Sequence, residues 1–262
     1  MIRSVLVMAV FLVPVAPCVS VLAGRIPPAV GRSRGPATYH FTTEYTMLGP
    51  EGAEAGTHVV TADFVTHADS LRWTRVTVGP SAGHGQPPTS EEHQAYMEGL
   101  AYDRAANVTA DDFFRAFPAM ANDERNLVWD ELMFHSFVES LDRLRLNEPV
   151  LGPSGDVTLG EKGTFTNRRI ELTLLGVGRR NGQDCFLIHY DALLNHFTVN
   201  SGPIKVSARS DYLGDIWVSI ATRQIEYGTL FEEVAGIIEN VPGMPGPQPL
   251  HVLRTAKLER SR

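Results

Sequence analysis

The residues that could carry chemistry are scattered. Nine histidines invite a metal or acid–base reading. His189 and His196 are the nearest suggestive pair, but no Cys and no third or fourth ligand stands beside them at a recognised spacing. They fit surface or hydrogen-bonded roles better than a metal centre, and His84 and His93 fall in or beside a Gly/Pro-rich loop. A serine nucleophile would need a strained turn of the Gly-x-Ser-x-Gly kind, and none is present. Ser81, Ser154 and Ser201 lie near glycines in stretches that turn chemistry explains. Asp111/Asp112 suits a helix N-terminus by its charge alone, and Glu232/Glu233 continues a strand. The chain has no phosphate loop, dinucleotide fingerprint or HExxH motif. Asn107-Val108-Thr109 matches a glycosylation acceptor, a triplet common by chance. No catalytic residue, metal or cofactor is therefore assigned.

What does cluster is aromatic. Phe113, Phe114, Phe117, Trp129, Phe134 and Phe137 fall within one predicted helical region. They read first as core. Their sharper reading is the lining of an apolar cavity between helices and a curved sheet, where ligand pockets commonly form.

Two helices are expected to carry them. The first starts at Thr109, a favourable N-cap with Asp112 three positions on, and ends at Pro118. The second runs from about Asp123 to Leu144 with a wide apolar face. Around them the pattern is β. Runs at 38–47, 58–65 and 71–78 come first, and from Val157 onward strands alternate with turns. Asn181-Gly182 is a strong hairpin signal, since both central residues of a type I′ turn need positive φ. Leu213-Gly214-Asp215 and Ala221–Gln224 read as further turns. Strands segregated from helices imply an α+β fold: a curved, mostly antiparallel, half-barrel-like sheet with two helices on one face. Residues 24–37 read as a linker and 38–240 as a single domain. Residues 241–262 read as a Pro/Gly-rich tail that dangles or adds an edge strand.

The N-terminus sets the address. Arg3 precedes an uncharged apolar run, Val5 to Ala16, and Val21-Leu22-Ala23 offers a cleavage site after Ala23. Residues 1–23 thus read as a secretory signal peptide and the protein as periplasmic or secreted. Pro14 and Pro17 weigh against a membrane-anchoring helix, and Pro17 weighs against lipidation of Cys18. Cleavage removes Arg3, so 22 basic residues face 30 acidic ones, a net charge of −8. That balance argues against nucleic acid as a partner. Only Cys185 then remains, so no internal disulfide forms and the domain stands on its core.

The segments Gly182–Leu187 and Gly214–Ser219, followed by Thr222–Glu226, resemble the hairpin, Gly-x-x-Trp strand, turn and strand cadence of the LolA/LolB-like periplasmic lipoprotein carriers. The resemblance covers residues 38–240, and the helical stretch here is longer and sits in one block. It implies a helix-capped sheet that holds an acyl chain, with lipid or lipoprotein as partner. The alternatives are an envelope scaffold without a pocket and a hydrolase assembled around His189 and His196.

Overall fold

A computed structural model describes residues 35–110, 112–118, 121–159 and 162–261. The expected signal peptide, and the linker before Gly35, lie outside them. In chain order the elements are β1 (Ala37–Leu48), β2 (Glu54–His67), β3 (Ser70–Ser81), β4 (Glu92–His93), β5 (Ala101–Asp103) and α1 (Asn122–Glu139). A 3-10 turn over Ser140–Arg143 extends α1. Then follow β6 (Val150–Leu151), β7 (Gly155–Thr158), β8 (Gly163–Asn167), β9 (Arg169–Arg180), β10 (Gln183–Ser201), β11 (Ile204–Ser219), β12 (Ile225–Glu239) and β13 (Gln248–Arg260).

All strands join one open antiparallel sheet, in the order β4-β3-β2-β1-β13-β12-β11-β10-β8-β7. β9 follows β8 along the same side of β10, β6 pairs with β9, and β5 pairs with β3. The Asn181-Gly182 turn joins β9 to β10 with φ of 53° and 79°, as the hairpin pattern requires.

Three expectations need correction. Among the described residues there is one α-helix, not two: residues 109–110 and 112–117 make turns, with Phe113 N–H bonded to the Ala110 carbonyl and Phe117 N–H to that of Phe114. Asn107, not Thr109, organises the start, accepting bonds on Oδ1 from the Thr109 amide and hydroxyl. A stretch this short before Pro118 is poorly placed to repay helix nucleation. Second, Leu213-Gly214-Asp215 is no turn but mid-strand in β11. Gly214 is there because a Cβ would lie 2.0 Å from the Thr229 carbonyl oxygen and 2.8 Å from the Tyr190 hydroxyl. Third, the C-terminal segment neither dangles nor forms an edge. β13 lies between β1 and β12, paired to both along most of its length.

α1 crosses the inner face of this sheet diagonally. Near its N-terminus His58 Nε2 lies 2.9 Å from Asp123 Oδ2, and Asn126 donates to the Tyr45 hydroxyl. In the middle Asp130 meets Arg254 of β13. Further on Phe134 seats over Gly228, where a Cβ would stand only 3.1 Å from its ring, edge-on to Phe41 and Tyr190. Phe137 packs on Tyr190 at 5.0 Å. Past the helix, Asp142 pairs with Arg223 in the β11–β12 turn. The filled core follows this path, and Trp73, Phe41, Phe64, Phe134, Phe137 and Tyr190 are all fully buried.

Candidate functional site

The six aromatic residues divide into two groups. Phe113, Phe114, Phe117 and Trp129 form one cluster with neighbouring rings 4.8–5.8 Å apart. Tyr102 and Tyr96 close it, and the Arg125 guanidinium lies over the rings of Phe114 and Phe117. The Trp129 indole N–H donates to the Val108 carbonyl. Phe134 and Phe137 belong instead to the core between α1 and the sheet. These rings pack on one another and on the sheet. The space between α1 and the sheet holds a cavity of about 30 Å³, bordered by Tyr39, Phe64, Glu131 and Val138. That is room for water and not for an acyl chain.

The histidine pair does not converge. His189 and His196 lie on β10 with a bulge between them, seven residues and so roughly 20 Å apart. His189 Nδ1 is 2.8 Å from Asp215 Oδ1, whereas His196 Nε2 is 3.2 Å from the Ser207 hydroxyl. Among the described residues no group of three or more His, Cys, Asp or Glu could hold a metal ion. Cys185 is buried, and burial raises its thiol pKa.

Two features join residues distant in the chain. The first is a buried ion cluster. Arg254 donates from Nη1 and Nη2 to the two oxygens of Asp130, at 2.7 and 3.1 Å, and from Nε to Glu232 at 2.5 Å. The Ser210 hydroxyl donates to the other Glu232 oxygen. Two carboxylates thus share one guanidinium out of water. Burial, opposed by the Arg254 charge, lifts Asp130 to about 6. Burial acts to lower the pKa of Arg254, but Asp130 and Glu232 together outweigh it and hold the group well above its usual value.

The second feature begins where that cluster ends. Side chains alternate between the two faces of a strand, so the register fixes what each face carries. Past Asn195, Ser210, Glu232 and Arg254, α1 no longer covers the inner face. One row there reads Phe165↔Phe197↔Ala208↔Gly236↔Leu250 across β8, β10, β11, β12 and β13. The next reads Val199↔Val206↔Ile238, and Val234↔Val252 adjoins the ion cluster. The Phe165 and Phe197 rings stack within 8° of parallel. Apart from the small Ala208, the side chains in these rows are only half-buried, whereas Leu230, Ala256 and Leu258 under α1 are about 2% exposed. No charged residue stands in these rows. The opposite face of the same strands carries His196, Lys205, Arg209, Glu239 and His251. From β8 to β13 the bare row spans four inter-strand spacings, about 19 Å.

A separate open cleft of about 430 Å³ sits at the sheet edge, between Leu151, Ser154 and Arg168–Glu171. No helix among the described residues is long and apolar enough to cross a membrane.

No protein-family model matches the chain, and no curated protein matches it. A solved structure of lipovitellin, titled for its lipid–protein interactions, is similar at a TM-score of 0.44 and 11% identity. The match covers 88% of this chain and 26% of that one, so the chain spans about a quarter of that structure's length. A likeness this loose carries no argument about function and does not establish the LolA/LolB resemblance.

Proposed function

We propose that this chain is an exported, non-catalytic binding protein that holds an apolar ligand, a lipid acyl chain, against the bare inner face of β8 and β10–β13. The carrying observation is that face itself. It presents Phe165, Phe197, Val199, Val206, Ile238 and Leu250 at inward positions, half-buried and without a charge among them. Its composition favours a lipid over a protein. Binding hot spots of protein interfaces are enriched in Trp, Tyr and Arg, and none of these stands in the bare rows, whose side chains are aliphatic with two Phe. This reading agrees with what the LolA/LolB resemblance implies, an acyl chain on a sheet, but it moves the chain from beneath the helix to the uncovered part beside it. The six aromatics then act by packing α1 and the 96–118 segment onto the core.

The test uses the chain beginning at Gly24 and a fluorescent fatty-acid probe below its micelle concentration. Wild type binds the probe, and Val206→Asp with Ile238→Asp weakens binding by about ten-fold or more, since each charge must be desolvated against the ligand. A monomeric, folded wild type that binds no probe overturns the reading.

The scaffold reading rests on a different observation. On the outer face Leu213 and Phe231 stand opposite each other, about 40% exposed. Self-association that Phe231→Lys abolishes would favour it.

A further inference from the structure

Two hairpin tips close the bare face at one end, and neither carries a charged residue. The β10–β11 tip is Asn200-Ser201-Gly202-Pro203-Ile204, and the β12–β13 tip is Asn240 to Pro249, rich in Pro and Gly. They are joined: the Asn240 side-chain amide donates to the Pro203 carbonyl at 3.1 Å. Their strands are paired immediately below, Lys205 against Glu239 and Ile238 against Gln248. Across both tips there is no Asp, Glu, Lys or Arg, although those residues make up 20% of the chain. By contrast Glu51 sits in the β1–β2 tip, Asp69 in the β2–β3 tip, Lys162 in the β7–β8 tip and Arg223 in the β11–β12 tip. The Asn181-Gly182 tip is also uncharged, but it stands at the opposite end of β10 beside Arg180, whereas the two charge-free tips here are neighbours and both adjoin the apolar rows. Met244 at the end of the longer tip is 56% exposed, and Ile237 below it is 43% exposed.

We propose that these two tips form one rim that touches the surface of a lipid bilayer, so that an acyl chain passes between membrane and sheet without crossing water. The inference rests on the reading of the bare face as an acyl-chain site, and adds where that site meets its source. Continuity supplies the route: Ile204, Val206 and Ile238 lead inward from the tips along β11 and β12. The absence of charge supplies the reason for a bilayer. A charge carried into the acyl region is costly, whereas Met, Val and Pro are tolerated there. The first charges met going inward, Lys205 and Glu239, stand at outer-face positions. They would lie at headgroup level.

Docking is measured first without ligand, by flotation of the chain from Gly24 with phosphatidylcholine vesicles. Wild type co-floats, Met244→Leu keeps this, and Met244→Glu lowers the bound fraction by about ten-fold. Transfer is measured next, from vesicles carrying the fluorescent fatty acid. For wild type the rate rises with vesicle concentration, and Met244→Glu slows it by a similar factor while its affinity for free probe stays that of wild type. No flotation, or equal flotation of wild type and Met244→Glu, overturns the rim, as does a transfer rate indifferent to vesicle concentration. Those failures leave the bare-face reading standing if free probe still binds. Absence of probe binding with normal flotation overturns the bare face and leaves the membrane-facing rim.

Discussion

The inner face of the sheet has two halves built by the same rule and finished differently. β10 to β13 run through both, with apolar side chains turned inward at alternate positions on either side of a polar boundary. In one half α1 closes over them, and Leu230, Ala256, Phe134 and Tyr190 are sealed from solvent. In the other half the same alternation continues through Phe197, Val206 and Ile238 with nothing of comparable size above it among the described residues. Alternation alone therefore does not make a core. A second layer must be present, and here it ends at Arg254, Asp130 and Glu232. The boundary between the halves is ionic, and the largest predicted effects lie on it.

Arg254→Met should break the boundary. It leaves Asp130 and Glu232 buried together without a cation, and orphaned buried charges cost about 3–5 kcal/mol. Two of them place this variant at the upper end, near 5. Urea unfolding at pH 7 measures the loss. The deficit should shrink at pH 5, where Asp130 can take up a proton, and a loss of under 1 kcal/mol at pH 7 would mean that the cluster does not hold α1.

Phe134→Ala tests the closed half. The ring fills the slot over Gly228 between Phe41 and Tyr190, and truncating a sealed Phe costs about 3–4 kcal/mol. Gly228→Ala should cost less, because the ring needs to give by only a few tenths of an ångström.

Asp130 supplies a pH dependence of its own. Folded, it keeps its proton up to about pH 6; its ordinary value is 3.8. Between those values the folded chain binds more protons than the unfolded one, so this group's contribution falls as pH rises through that window and is level above it. The full swing is roughly 3 kcal/mol at 1.36 kcal/mol per pKa unit. The facing groups are Arg254 on β13, Glu232 on β12, Tyr45 on β1, Tyr190 on β10 and Tyr212 on β11. Asp130→Asn removes the titration. The difference in stability between wild type and this variant should therefore change between pH 4 and 6 and stay constant from 7 to 8.

Much of the closed half is legible in the sequence. The apolar face from Leu127 to Leu141 marks α1, and Asn181-Gly182 marks its hairpin. What could not be read is whatever depends on partners distant in the chain. Arg254 reads as part of a loose tail, since its counter-charge Asp130 is 124 residues away. Gly214 reads as a turn, because the Tyr190 hydroxyl and Thr229 carbonyl that demand a glycine there come from neighbouring strands. The aromatic residues stand out by type, and their rings pack on one another and on the sheet. The bare face had a signal, the period-2 runs Ile204-x-Val206-x-Ala208 and Val234-x-Gly236-x-Ile238. Nothing local says that such a run lacks a cover. That follows only from where α1 stops.

The smallest change in stability should come from the bare half, and it separates the halves most sharply. Phe197→Ala removes a ring comparable in size to that of Phe134, but one that is already part-solvated and packs chiefly on Phe165. Less area is lost from contact and no sealed cavity opens, so the cost should be about 1 kcal/mol. Its effect on the fatty-acid probe should be the reverse of that ranking. Phe197 stands in the middle of the row that an acyl chain would cover, so the variant should bind the probe about ten-fold more weakly. Phe134→Ala, studied in mild conditions where it remains folded, should bind nearly as wild type does. If Phe197→Ala instead costs as much stability as Phe134→Ala, its surroundings are core after all, and the distinction between a closed and an open half of this sheet is lost.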